Sequence, residues 1–171
     1  MNCCRLLAVL CRHPPCAVNN LRERPHSIMA KIRRSFTVDK PLPQVVDYLK
    51  DFSHAADWDP GTLACTPLDP GPAHEGSRWH NVSHFLGRRA ELIYRLERAL
   101  PDRLTFVGEN DAARSVDDLT FEAAGAGTRV TYQADIRLRG TARLADPLVR
   151  VALGRMAGGV VAQMREVIDA L

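Results

Sequence analysis

Residues 130–138 alternate without a break: Val130, Tyr132, Ala134, Ile136 and Leu138 fall on one face, Thr131, Gln133, Asp135 and Arg137 on the other, and Arg139 continues the polar row. A period of two with one apolar and one polar face marks a β-strand buried on one side only. Such a strand cannot stand alone. It needs antiparallel partners and an apolar cover for its inner face. The rest of the chain must supply both.

The partners are legible. Segments 63–68, 77–85, 88–99, 103–110, 115–123 and 128–139 read as strands, separated by the turns Gly71-Pro72, Leu86-Gly87, Pro101-Asp102 and Gly125-Ala126-Gly127. An earlier strand over 31–38 puts Ile32, Phe36 and Val38 on one face, with Arg34 interrupting it. Pro41 and Pro43 then open a short helix, since Pro is tolerated in a first turn, and Val45, Val46, Leu49 and Phe52 recur at helical spacing. A second turn over 53–57 ends at Trp58-Asp59-Pro60-Gly61.

The cover comes last. Residues 146–171 read as a helix, with Asp146 as cap and Pro147 in the first position. Its apolar stripe is Leu148, Val151, Ala152, Met156, Val160, Met164, Val167, Ile168 and Leu171. About 25 residues at 1.5 Å each give roughly 37 Å, enough to cross a whole sheet. Gly158-Gly159 weakens it midway, each Gly costing up to about 1 kcal/mol relative to Ala. A kink, a close approach to the sheet or a hinge over a cavity would each account for the pair.

Charge and cysteine are concentrated at the start. Residues 1–28 hold Cys3, Cys4, Cys11 and Cys16, four of the five cysteines, and a net charge of +3 from Arg5, Arg12, Arg22 and Arg24 against Glu23. Setting these aside leaves 19 basic and 19 acidic residues over 29–171. A balanced domain lacks the clustered Lys/Arg that nucleic acid requires. No apolar run nears the roughly 20 residues of a membrane span, so no membrane insertion is expected. Leu6 to Leu10 is too short for a secretory core, and the four leader cysteines lack paired zinc spacing. Residues 1–28 are thus expected to be a disordered or superfluous extension, with the domain spanning 29–171. Cys65 alone in that domain implies a reducing, cytoplasmic setting without a disulfide framework.

The order of these elements resembles the helix-grip fold of the START/Bet v 1-like superfamily. Particular stretches are similar to its polyketide cyclase/dehydrase-like branch: the opening strand into the Pro41 helix, Trp58-Asp59-Pro60-Gly61, and Glu75-Gly76-Ser77-Arg78-Trp79. Phe85-Leu86-Gly87-Arg88 and Gly125-Ala126-Gly127-Thr128-Arg129-Val130-Thr131-Tyr132 add to the set. The resemblance covers residues 29–171. It implies an α+β architecture, a curved antiparallel sheet wrapped around the C-terminal helix, with a pocket between them for an apolar or amphipathic small molecule. No cofactor is implied.

Several residues are candidates for that pocket. His80 and His84 would chelate a metal on a helix, but on a strand four residues span about 13 Å, so no metal site is expected. The other face of their strand carries Trp79, Asn81, Ser83 and Phe85, and large aromatics favour the interior. On the next strand Ala90, Leu92, Tyr94 and Leu96 face in, and Tyr94 offers both a ring and a hydroxyl. Period two places Asp117 on the inner face with Leu119 and Phe121. A carboxylate there would act as acid or base with a raised pKa, whereas near a strand end it would simply be solvated. His54, Asp57, Trp58 and Asp59 lie in the connector that the resemblance places at the pocket mouth, where Asp57 and Asp59 are spaced to form a carboxylate pair or a plain turn. Trp58, Trp79, Phe85, Leu92, Tyr94, Phe121, Tyr132, Met156, Val160 and Met164 are the expected ligand contacts, with Tyr94 and Asp117 the candidate catalytic groups.

Three functions compete. The first is binding or carriage of a lipid, isoprenoid or polyketide-like compound. The second is a cyclase, aromatase or dehydratase, which requires at least two of Tyr94, Asp117, His80 and His84 to converge in the pocket. The third is a protein-interaction or co-chaperone module, which requires a large exposed apolar patch. The sequence alone leaves oligomeric state open.

Overall fold

A computed structural model describes residues 28–85, 87–138 and 147–171. The extension over 1–27, Leu86, the outward Arg139 and the cap at Asp146 lie outside the described residues, as do the side chains of Leu148, Val151 and Ala152.

Seven strands form one antiparallel sheet: β1 (Ile28–Val38), β2 (Thr62–Pro67), β3 (Arg78–Phe85), β4 (Arg88–Leu100), β5 (Arg103–Glu109), β6 (Ala113–Ala124) and β7 (Gly127–Leu138). Their order is β1-β7-β6-β5-β4-β3-β2. Every pair except β1–β7 is consecutive, so short turns set the register through most of the sheet. β1 instead pairs with the last strand, from Ile28 opposite Leu138 to Val38 opposite Thr128. It begins at Ile28, before the expected residue 31, because β7 offers partners that far.

α1 (Leu42–Lys50), a 3-10 turn (Phe52–His54) and α2 (Ala55–Trp58) follow β1, and α3 (Pro147–Asp169) closes the chain. The sheet curves around α3, giving the α+β helix-grip arrangement. The inner face obeys the alternation read from β7: Val130, Tyr132 and Ala134 are buried. Trp79, Leu96, Leu104, Phe106, Leu119 and Phe121 join Val45 and Leu49 of α1 and Met164 and Ile168 of α3 in one core. Arg34 remains exposed. Leu171 is 39% exposed, because the helix ends at Asp169 before its stripe does.

The end of α3 is tied to the start of α1. The Asp39 N–H donates to Asp169 Oδ1 at 2.9 Å, and Lys40 Nζ donates to the Leu171 carbonyl at 3.0 Å. The helix runs unbroken through Gly158 and Gly159. A Cβ on Gly158 would meet nothing within 4 Å, and one on Gly159 would lie 3.5 Å from Pro60 Cγ, an ordinary contact. Close approach to the sheet therefore does not explain the pair.

Candidate ligand cavity

Large side chains fill the inner face at the α1 end, and small ones leave the other end open. Gly61, Ser83, Ala90, Ala113, Ser115 and Ala134 border a cavity of about 140 Å³ between the sheet and α3. Phe52, Trp58, Phe85, Leu92, Met156 and Val160 contribute to its apolar wall.

One row across the sheet explains its chemistry. Trp79, Tyr94, Gly108, Ser115 and Ile136 stand opposite one another on β3 to β7. Gly108 carries no side chain, and the Tyr94 ring occupies the vacant place: a Cβ on Gly108 would fall 2.6–2.8 Å from three of its ring carbons. The phenol is thereby laid across β5 toward β6. Asp117, two residues after Ser115, pairs with Ala134, and Tyr132 is its diagonal neighbour on the same face. The Tyr132 hydroxyl donates to Asp117 Oδ1 at 2.6 Å, and Ser115 Oγ donates to Oδ2 at 3.0 Å.

Asp117 is 5% exposed and lies inside β6, not at a solvated strand end. Burial pushes its carboxyl up to about 6, against hydrogen bonds from Tyr132, Ser115 and Tyr94 that favour the ionised form, and the charge of Asp59 adds to the rise. Burial foremost, and then the Asp117 carboxylate, hold the phenols of Tyr94 and Tyr132 well above their ordinary value, so both stay protonated. A carboxyl able to exchange a proton near neutrality beside two phenol donors can serve in acid–base chemistry or in fixing a polar ligand group.

A second polar group borders the same space. Asp59 Oδ1 accepts the Gly61 N–H at 2.9 Å and Oδ2 accepts the Thr62 hydroxyl at 2.8 Å, while Asn81 Nδ2 donates to Thr62 Oγ1 at 3.2 Å. Burial raises the Asp59 pKa against the donors on Gly61 and Thr62. Asp57 does not pair with it. Asp57 is exposed and accepts the Tyr48 hydroxyl at 3.1 Å, with His54 stacked on the Tyr48 ring 4.2 Å away. The two-residue spacing turns one carboxylate into the wall and the other outward.

Of the residues expected to meet a ligand, Trp58, Phe85, Leu92, Tyr94, Tyr132, Met156 and Val160 line the cavity along with Asp117. Trp79, Phe121 and Met164 do not. Trp79 packs edge-on against Phe52 and Phe106 and donates its indole N–H to Asp51 Oδ1 at 3.1 Å, while Phe121 and Met164 belong to the filled end. Inward alternation gives the face a residue occupies but not its place along the sheet. His84 is exposed and borders the cavity, whereas His80 Nε2 lies 3.0 Å from Glu91 Oε2 away from the cavity. Among the described residues, no group of three or more His, Cys, Asp or Glu is arranged to hold a metal ion. The same residues contain no helix long and apolar enough to cross a membrane. Sequence reading places Asn81 on the inner face of its strand and Phe52 on the apolar side of its helix, but does not single out Thr62, Ser115 or Gly108. A lone Gly inside a strand does signal close approach of another group.

Comparison with known proteins follows the fold. The family model described as polyketide cyclase / dehydrase and lipid transport matches residues 29–171. No curated protein matches the chain. Among solved structures, the protein TTHA0849 from Thermus thermophilus superposes with a TM-score of 0.70 at 17% identity, over 82% of this chain and 98% of that one. A START superfamily protein from Mycobacterium smegmatis gives 0.66 at 12% identity, over 82% of this chain and 97% of that one. The di-domain ARO/CYC protein BexL of the BE-7585A biosynthetic pathway gives 0.61 at 13% identity, over 83% of this chain and 49% of that one.

Proposed function

Because the chain belongs to the polyketide cyclase / dehydrase and lipid transport family, we propose that it binds and carries an apolar or amphipathic small molecule in the cavity between sheet and α3. A ligand-binding or polyketide cyclase-type role is what family and fold support in common. The observation that carries the finer reading is the cavity itself, apolar over most of its wall, with the buried carboxyls of Asp117 and Asp59 among its few polar groups. Its volume of about 140 Å³ is close to the roughly 150 Å³ of an apolar cavity that stays dry and takes up benzene. The space suits one ring or a short branched chain of a lipid, isoprenoid or polyketide-like molecule. The free Cys65 fits a reducing, cytoplasmic setting.

Native mass spectrometry of the full chain, purified without detergent and compared before and after organic extraction, tests the carrier reading. The expected result is an extractable adduct of a few hundred daltons. An unchanged mass, together with no rise in melting temperature on adding fatty acids, isoprenoid alcohols, aromatic ketones or aromatic amines, would overturn it.

The convergence of Asp117 with Tyr94 and Tyr132 favours a second reading, an enzyme of cyclase or dehydratase type. Asp117 would take a proton from the carbon next to a bound carbonyl while a phenol donates to the oxygen. Deuterium exchange at that carbon of an aromatic ketone, followed by NMR, should then fall about 10²–10⁴-fold in Asp117→Asn, the usual worth of a general base. Exchange at the same rate in the variant sinks the enzymatic reading.

A further inference from the structure

We propose that the cavity selects an amphipathic amine, a ligand whose apolar body fills the space and whose protonated nitrogen sits against Asp117. The proposal rests on the reading of this cavity as a ligand site. It begins from an inventory of charge. Along the described wall the ionisable side chains are Asp59, Tyr94, Asp117 and Tyr132, with His84 and Arg114 at the periphery. Both phenols are neutral. Arg114 is already committed, its Nη1 lying 3.0 Å from Glu109 Oε1 with both side chains well exposed, and His84 is exposed too. The buried ionisable groups of the described wall are therefore two carboxyls and two neutral phenols, while the one guanidinium on that wall, Arg114, is paired with Glu109.

Hydroxyl donors stabilise an ionised carboxylate but leave its charge uncompensated. Buried carboxylates ordinarily have a cationic partner as well. With Asp117 raised only to about 6, it is mostly ionised at neutral pH. An ionised carboxylate has about four acceptor positions, and Tyr132, Ser115 and Tyr94 use up to three of them. One place remains for a donor from the cavity. The wall also holds the aromatic rings of Phe52, Trp58 and Phe85, and a cation lying over the face of such a ring is attracted to it. A ligand carboxylate would instead bring a third acidic group into the same enclosure.

A second observation concerns one residue of the wall. Trp58 lines it and is 3% exposed, yet its buried indole N–H has no hydrogen-bond partner among the described residues. Buried donors of this kind are nearly always satisfied. A ligand acceptor oxygen within reach of that N–H would satisfy it.

Isothermal titration calorimetry of the full chain at neutral pH with phenethylamine, phenethyl alcohol and phenylacetate varies charge on one skeleton. The amine should bind about tenfold or more tighter than the alcohol, the difference between a charge-assisted and a neutral hydrogen bond, with phenylacetate weakest. Asp117→Asn should abolish the ratio between amine and alcohol, with thermal unfolding checking that the variant folds. Asp59→Asn removes the other carboxyl and should shrink the same ratio. Phenylacetate binding as tightly as the amine, or a ratio unchanged in the variants, would overturn the charge assignment while leaving the cavity as a ligand site. Binding of none of the three at millimolar concentration would remove the ligand site and the proposal together.

Discussion

Asp117→Asn removes a titrating group from the middle of the inner face, and its effect should appear as a slope of stability against pH. Burial moves the folded-state value from the ordinary 3.8 to about 6. At about 1.4 kcal/mol per pH unit, that interval is worth roughly 3 kcal/mol. Between the two values the folded protein holds a proton that the unfolded chain has released, so stability falls as pH rises. The contribution is complete below about pH 4 and gone once the pH has passed through about 6. Urea unfolding of the wild-type chain and the Asn variant over this range isolates the effect in the difference between them. Asp51, Asp69 and Glu91, whose values are lowered, act in the opposite sense and largely cancel. The wild type should lose roughly 3 kcal/mol relative to the variant between about pH 4 and pH 7. A thermal midpoint would register this as roughly 6–12 °C. A difference that stays flat, or that grows in favour of the wild type as pH rises, would refute the burial of an ionisable Asp117.

Three further outcomes follow from single contacts. Gly108→Ala places a methyl against the Tyr94 ring and should cost about 1–3 kcal/mol by overpacking; combining it with Tyr94→Leu in a denaturation cycle should recover most of that loss, and strictly additive effects would exclude the contact. Tyr132→Phe leaves Asp117 Oδ1 without its 2.6 Å donor, so the midpoint of the Asp117 titration, followed by carboxyl NMR, should rise above about 6, and an unchanged midpoint would show the bond to be absent in solution. Burial pushes the Cys65 thiol from 9.0 up to about 12, so at about pH 8 its alkylation, followed by peptide mass mapping, should be roughly a thousandfold slower in the native than in the unfolded chain; equal rates would place it at the surface.

How far the sequence could be read depended on whether a feature is written along one strand or across several. Alternation in β7 and β4 named the inward residues correctly, because one wet and one dry face leave a period of two in the chain itself. The long helix and its cover over the sheet were legible likewise, from an apolar stripe recurring about every 3.6 residues. The contact of Tyr94 with Gly108 and the approach of Tyr132 to Asp117 depend on the register among β4, β5, β6 and β7, which no single segment records. The depth of Asp117 escaped likewise, since it stands opposite Phe106 of β5 and Ala134 of β7, with Tyr132 diagonal to it, and no stretch of β6 records those partners. Trp79 and Phe85 share a face of β3, yet one lies in the packed core and the other beside the cavity. Period two cannot distinguish positions along that axis. Asp57 and Asp59 diverged because Asp57 lies within α2 while Asp59, just past its end, is extended and held to Gly61 and Thr62.

The pairing of β1 with β7 also sets a clock on synthesis. The residues it joins are 90 to 110 positions apart, which at a ribosomal rate of about 5–20 residues per second means roughly 5–20 s before β1 has a partner. Throughout that interval a half-apolar strand is present with its backbone unpaired, a template for other nascent chains. Lys31, Arg33 and Arg34 crowd three like charges into it, and such charges keep copies of an exposed strand apart. Arg34, which interrupts the inner face of the finished fold and stays exposed there, has its use before the fold exists. Replacing it with Val would complete the apolar row, and the soluble fraction of freshly translated protein should fall.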